Sequence, residues 1–352
     1  MRKAQHGKSG SHWLSLVDKY RIFILFAVVF GVMSLFAPRF FNVFNLTSIM
    51  KVVAMNACVA IGFTVVMICG QLDLSIGTVI TFAGVLGLSL KGSLGYAVSV
   101  PIAILAGALV GLFNGLLVAK AKINAFIVTL GTMTILQGAI YTLTGGNTIS
   151  LSTPDAFAVS DFLAKPLLPL VTPRILITVA LVIAFELFLR RTQKGRNFYL
   201  VGGNQNTAWL AGIKTESYLI AAFVLSGTMA AVGGVFFAME SSAATLKMGD
   251  QSLMYVISAT IIGGTAMSGG KGGVFRTVVA ILTLEMLYTG IILFGLGNEV
   301  KIFIAGLILA TVVLYEAYAV YKHDKEVGKR PELVKELGAA GATATAGAAR
   351  KP

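Results

Sequence analysis

From residue 20 to residue 321 the chain is a succession of apolar runs, each near the length at which a helix crosses a hydrocarbon layer. Few architectures can accommodate that. A core about 30 Å thick takes about 20 apolar residues per helical crossing, so windows of about 19 residues locate the crossings. They fall near 20–37, 52–69, 73–90, 95–118, 124–143, 174–189, 217–238, 253–268, 273–295 and 300–321. The expected fold class is all-α, a polytopic membrane protein of about ten transmembrane helices. The third and eighth runs are short and Gly-rich, so eight or nine full crossings with re-entrant or broken segments are the alternatives. Apolar residues make up 56% of the 352 and charged ones 12%, and ten crossings would use nearly all of that apolar content. A soluble enzyme, a disulfide scaffold and a disordered chain are excluded.

The charged residues orient the chain. The formal net charge of +13 would in another setting suggest nucleic acid. With the N-terminus inside and ten crossings, 21 of the 28 Lys and Arg fall in cytoplasmic segments. Only Arg39, Lys51, Lys91, Lys165, Arg174, Lys247 and Lys301 fall outside. That bias is the cytoplasmic retention of basic residues, so the excess is topological and no nucleic-acid partner is expected. A mostly polar segment without a small-residue cleavage site precedes the first run, which argues against a removable signal peptide. Cys58 and Cys69 lie within one apolar run and read as packing, not as a bridge.

The expected domains are a cytoplasmic N-terminal tail over 1–19, a single transmembrane domain over 20–322, and a cytoplasmic C-terminal tail over 323–352. An outside loop at 144–173 contains Thr153-Pro154-Asp155 and an interfacial stretch from Phe162 to Leu170. The inside loop at 190–216 is the most polar stretch between the first and last spans. Spans 2–5 and 7–10 are offset by five crossings and so run in opposite orientations, which is the inverted-repeat plan of many transporters. Its sequence trace is the pair Gly70 to Gly77 and Gly263 to Gly270, each interrupting an apolar run.

Catalytic and metal chemistry is missing from the pattern. The histidines, His6, His12 and His323, all fall in polar tails, so neither a metal site nor a cofactor is expected. The run GTAMSGGKG (264–272) fails the phosphate-loop pattern twice, with Thr265 where its first Gly must stand and Gly272 after the Lys. The leads are polar residues within spans. Asp73 reads as the cap of span 3, accepting from N–H groups two and three residues on, with a place on a solute route as the alternative. Glu186 pairs with Arg190 at i,i+4. Glu285 lies mid-span, reached only loosely by Arg276, and is either structural or part of a route. Asn56, Asn114, Asn124 and Gln137 are candidates for interhelical bonds or for contacts with a polar solute.

Four blocks, GQLDLSIGT (70–78), NAFIVTLGTMTILQG (124–138), GRNFYLVGGNQNTAWLAGI (195–213) and IGGTAMSGGKGGVFRT (262–277), resemble in order and spacing the permease subunits of ribose/galactose-type ABC importers. The resemblance runs from about residue 20 to 320. It implies that the cytoplasmic loop carries a coupling helix, Asn206 to Ile213, which docks on an ATPase subunit. Gly202-Gly203 would break the chain, Asn204 would cap the helix, and Ala208, Trp209, Leu210 and Ile213 would give the docking surface. The coupling set is Gly203, Asn204, Ala208, Trp209, Gly212 and Ile213. Without the resemblance the same residues suit a helix lying on lipid headgroups. The implied partners are an ABC ATPase, a periplasmic or lipid-anchored sugar-binding protein, a second permease copy in a homodimer or heterodimer, and membrane lipid. The implied location is the bacterial cytoplasmic membrane with both termini inside, and the implied role is a monosaccharide permease without catalysis of its own. A nucleoside, an autoinducer or a branched-chain amino acid is the alternative solute. An ion-coupled secondary transporter using Glu285 or Asp73 is the alternative mechanism, and a membrane-embedded enzyme has no supporting constellation.

Overall fold

Each of the ten apolar runs is carried by a helix in the computed structural model, which describes residues 9–150, 163, 165–168, 170–314 and 317–318. The helices are α1 (Ser9–Phe36), α2 (Val43–Ile68), α3 (Ile76–Leu94), α4 (Tyr96–Ala119), α5 (Ala125–Thr144) and α6 (Pro173–Arg191). There follow α7 (Gln193–Gly203), α8 (Gln205–Leu210), α9 (Thr215–Ser241), α10 (Asp250–Ile262) and α11 (Val274–Leu293). A last helix, α12, starts at 298 and runs to 309 within the first compact unit, which ends at Leu309. The second unit, Ala310–Pro352, is helical at its described positions, 310–314 and 317–318. Two-residue strands, Ile149–Ser150 and Ala243–Ala244, pair antiparallel with Ile149 opposite Ala244.

Among the described residues six helices are long and apolar enough to cross a membrane: α2, α3, α4, α5, α9 and α11. The other four runs fall short of that measure for separate reasons. Among the described residues the apolar part of α1 is Tyr20–Phe36, α10 has 13 residues, α6 carries Arg174, Glu186, Arg190 and Arg191, and the described part of α12 is short. The third run, expected to be weak, is a full helix of 19 residues, whereas the eighth stops at Ile262 and continues as a turn. The sequence boundary at 19/20 is no structural break, because α1 begins at Ser9. Thr153-Pro154-Asp155, most of the 162–170 stretch and the tail beyond 318 lie outside the described residues.

Helix starts follow local chemistry. Asn42 caps α2, accepting from Phe44 N–H, and Asn124 caps α5, accepting from Phe126 N–H at 2.9 Å. Thr172 caps α6, which then enters on Pro173 at its first turn. The centre belongs to α2 and α9. Every residue of α2 from Val53 to Ile68 is buried, as expected of a helix apolar on all faces and enclosed by others. Helix α9 packs on α4, α2 and α3. Its closest neighbour is α4, where Gly107, Gly111 and Gly115 fall four residues apart and form one face. A Cβ at Gly111 would stand 2.2 Å from the Phe223 carbonyl oxygen, so only glycine permits this backbone approach. Cys58 and Cys69 are free and buried in this core, as the sequence suggests.

Candidate functional site

The loop at 190–216 is more structured than a loop. Thr192 accepts from Gly195 N–H at 2.9 Å and starts α7, a helix that the sequence reading does not foresee. Gly202 and Gly203 end it as helical residues, so they do not break the chain; the break comes at Asn204, whose backbone is extended. Asn204 then caps α8, its Oδ1 accepting from Thr207 N–H at 2.9 Å. The helix spans Gln205–Leu210, shorter than the expected Asn206 to Ile213. Gly212 is what stops it. It adopts φ +80° while Gly212 N–H bonds to the Trp209 carbonyl and Ile213 N–H bonds to the Ala208 carbonyl at 3.0 Å. That pair of bonds is the Schellman closure, in which the residue after a left-handed glycine packs back on the last turn.

Within this short helix the faces divide. Ala208 is 3% exposed and joins the core cluster that also holds Phe198, Val201, Leu189 and Ile61, and Ile213 packs against the same cluster. Ala208 is therefore an anchor, and its assignment to the docking surface is corrected: a residue inside the core cannot touch a partner. Trp209 and Leu210 point the other way, 67% and 78% exposed. Tyr199 on α7 donates to the Gly272 carbonyl at 3.3 Å, and burial with the nearby Glu186 charge raises its phenol above the ordinary value. Glu186 pairs with Arg190 as the spacing predicts, and it also accepts from Phe275 N–H at 3.1 Å, which satisfies the start of α11.

The turns 69–75 and 263–273 meet this platform directly. Gly270 N–H donates to the Ile68 carbonyl at 2.8 Å, and a Cβ on Gly269 would stand 2.8 Å from the Gly70 Cα. The two Gly-rich segments thus lie at one end of the unit. Segments related by an axis in the membrane plane lie at opposite ends, so this pair is not the trace of a repeat.

Asp73 is fully buried and accepts from the N–H two residues on, as expected, but it is not the N-cap of α3, because the helix starts only at Ile76 with Ser75 at its cap position. Its Oδ1 accepts from Ser75 N–H at 3.0 Å and from Ser75 Oγ at 2.6 Å, and its Oδ2 accepts from Ser226 Oγ on α9 at 2.7 Å. Asn114 on α4 donates to Ser75 Oγ at 2.9 Å and accepts from Thr132 of α5 at 2.6 Å. One connected network therefore ties α4, α5 and α9 to the turn before α3, with both Asn114 groups used. These are fastening contacts. Gln137 donates to the Leu246 carbonyl at 3.4 Å, away from that network, and Asn124 is spent on its cap.

Asn56 and Glu285 come together instead. Both line a cavity of about 550 Å3 between α2, α9, α10, α11 and α12, beside Gln251, Tyr255, Tyr288 and Lys301. Glu285, 7% exposed, accepts from Tyr255 Oη at 3.3 Å. Arg276 does not serve it, being turned towards Gly264.

Among the described residues no group of three or more His, Cys, Asp or Glu could hold a metal ion. Apolar helices of membrane-crossing length, a fixed surface helix and a largely apolar cavity with a few polar groups suit a membrane transport subunit. Residues 45–313 match the family described as branched-chain amino acid transport system / permease component, and the chain belongs to that family. The L-arabinose transport system permease protein AraH of Escherichia coli K12 is 33% identical over 319 residues, covering 88% of this chain and 94% of the relative. The ribose import permease protein RbsC of Haemophilus influenzae is 30% identical over 300 residues, covering 85% and 93%. The autoinducer 2 import system permease protein LsrC of Yersinia pestis is 31% identical over 297 residues, covering 82% and 81%. No solved structure matches the chain.

Proposed function

We propose that the chain is the membrane-spanning permease subunit of an ABC importer for a monosaccharide, and that α8 is its docking helix for a separate ATPase subunit. The observation that carries the docking assignment is the fixed display of Trp209 and Leu210. The helix is closed by Asn204 and Gly212 at its two ends and tied to the core by Ala208 and Ile213, so an apolar tip is held out from a rigid base. A loose amphipathic helix on headgroups needs none of those fastenings. Rigid display is what a switch biased by differential contact requires.

The relatives named for ribose and L-arabinose favour a pentose-sized solute, while the autoinducer relative and the family description keep those two solute classes as the alternatives. We read ten crossings, with α1, α6, α10 plus its following turn, and α12 completing the six. An inverted repeat of spans 2–5 and 7–10 draws support from the start of α3 and the start of α10. Gly77 and Gly249 meet there backbone to backbone, as equivalent points near an in-plane axis would. Both termini are read as cytoplasmic in a bacterial inner membrane, from the basic bias. The ATPase, an external sugar-binding protein and a second permease copy complete the importer, and the exposed apolar residues of α4 and α5 are left for lipid or that copy.

Reconstitution with the ATPase subunit and binding protein tests this. Uptake of D-ribose or L-arabinose into proteoliposomes should require ATP and both partners. Uptake by the chain alone, driven by an ion gradient, would overturn the reading.

A further inference from the structure

Apolar packing does not explain the cavity between α2, α10, α11 and α12. Its volume of about 550 Å3 lies within the range of roughly 300–1,000 Å3 usual for small-molecule sites. Amide, hydroxyl and charged side chains supply much of its wall in a chain with only 12% charged residues. Intramembrane polar groups that face a cavity mark solute routes more often than those spent on neighbouring helices.

Asn56 decides the chemistry. Its amide nitrogen donates to the Val52 carbonyl at 3.1 Å, but its Oδ1 has no partner although the residue is only 4% exposed. A buried acceptor without a donor keeps its full desolvation cost, and a turn of the amide that brings this oxygen to the cavity surface would let a ligand hydroxyl remove it. Across the cavity Glu285 accepts from Tyr255 and Thr289, and a carboxylate's remaining lone pairs leave it acceptor capacity to spare. The Tyr255 hydroxyl approaches it at 3.3 Å while lying only 2.6 Å from the Ile281 carbonyl, so its stronger bond goes to the backbone. The rings of Tyr255 and Tyr288 are 5.6 Å apart and tilted, which gives an angled aromatic surface beside those acceptors, with the Lys301 ammonium over the Tyr288 ring. Free acceptors next to an aromatic face suit a molecule with many hydroxyl donors and one C–H face.

We propose that this cavity is a resting site for a neutral polyhydroxylated solute, with Asn56 and Glu285 accepting from its hydroxyls and the tyrosine pair packing on its C–H face. The proposal rests on the permease reading above and adds the site. Asn56 lies 12 residues before Ile68, about 18 Å along α2, so the cavity sits in the half of the unit remote from α8. In an importer docked at α8, that is the half in which a delivered solute arrives first. The apolar remainder of the wall keeps holding weak, as passage requires.

The test uses the complete importer in proteoliposomes with Gln251→Cys on α10, an exposed position of the cavity wall. The native thiols Cys58 and Cys69 are buried, so a charged methanethiosulfonate reagent addresses the introduced one. The reagent should block uptake, and saturating D-ribose or L-arabinose should slow labelling at least threefold. Asn56→Leu, which removes the orphaned acceptor at similar volume, should lower uptake about tenfold, with co-purification of the ATPase subunit as the check on folding. If Asn56→Leu does not assemble, labelling decides alone. Labelling indifferent to both sugars, or slowed by leucine instead, overturns the proposal. A wild-type importer that moves neither sugar in the presence of ATP overturns the permease reading itself, and shows this before any variant is made.

Discussion

Trp209→Ala separates a docking helix from a helix resting on lipid. A Trp side chain buries 150–250 Å2 in a well-packed site, and Trp209 still has 67% of its surface free. About 100–170 Å2 is therefore available to a partner, equivalent to about 2.5–4 kcal/mol at about 25 cal/mol per Å2. Interfaces return less than the area suggests, and alanine truncation of a central aromatic typically costs about 2 kcal/mol or more. The expected loss is about 30-fold in affinity for the ATPase subunit. Folding should hardly change, because an exposed side chain away from caps and core usually shifts stability by less than about 0.5 kcal/mol. The assay is a titration of detergent-solubilised chain with the ATPase subunit, run beside a thermal melt of each protein. Unchanged affinity, with partition into anionic vesicles reduced instead, would refute the docking assignment and leave a headgroup helix.

Two further outcomes follow from the contacts. Asp73→Ala strands the buried Ser75 N–H and Ser226 hydroxyl, so it should destabilise by about 2–6 kcal/mol, while Ser226→Ala leaves only the buried Asp73 Oδ2 without its donor and should cost about 1–3 kcal/mol. The double variant should melt little below Asp73→Ala alone, and additive losses would show that the network is not connected. Gly202→Ala would put a Cβ 1.7 Å from the Ile68 carbonyl oxygen, whereas Gly203 has nothing within 4 Å of such an atom. The first variant should lose assembly with the ATPase subunit or stable insertion, and Gly203→Ala should match wild type in both. Equal behaviour would sink the contact.

Hydropathy made the ten helical runs legible because the bilayer sets one length and one composition for all of them. One cap was legible for a similar reason. Asn204 stands where a short acceptor satisfies free N–H groups, and the pairing of Glu186 with Arg190 needs only helical spacing, whereas Asn124, read as an interhelical or solute contact, is the cap of α5. What escaped was direction. Ala208 and Trp209 are adjacent on a six-residue helix, too short for periodicity to show which of them faces the core. The roles of the polar residues escaped as well. Asn56 and Asn114 look alike in an apolar run, yet one carries an orphaned oxygen in a cavity and the other closes a network, and only partners 18 or more residues distant decide between them. The kinship of the two Gly-rich segments was misjudged because shared composition reflects shared packing. Each must let another backbone approach.

That packing has a mechanical consequence under the proposed docking. The last turn of α7 rests through Gly202 on the Ile68 carbonyl, and a Cβ on Gly270 would stand 2.9 Å from the Gly203 Cα. Contact of backbone on backbone leaves no flexible side chain to absorb a displacement, so movement of α8 is delivered to the end of α2 and to the turn that enters α11. Those two helices hold Asn56 and Glu285 on the wall of the cavity, about 18 Å further along α2. A helix transmits a tilt along its length, and packed helices move between discrete arrangements instead of deforming continuously. A change of angle between α2 and α11 at the α8 end therefore alters the separation of the two acceptors at the other.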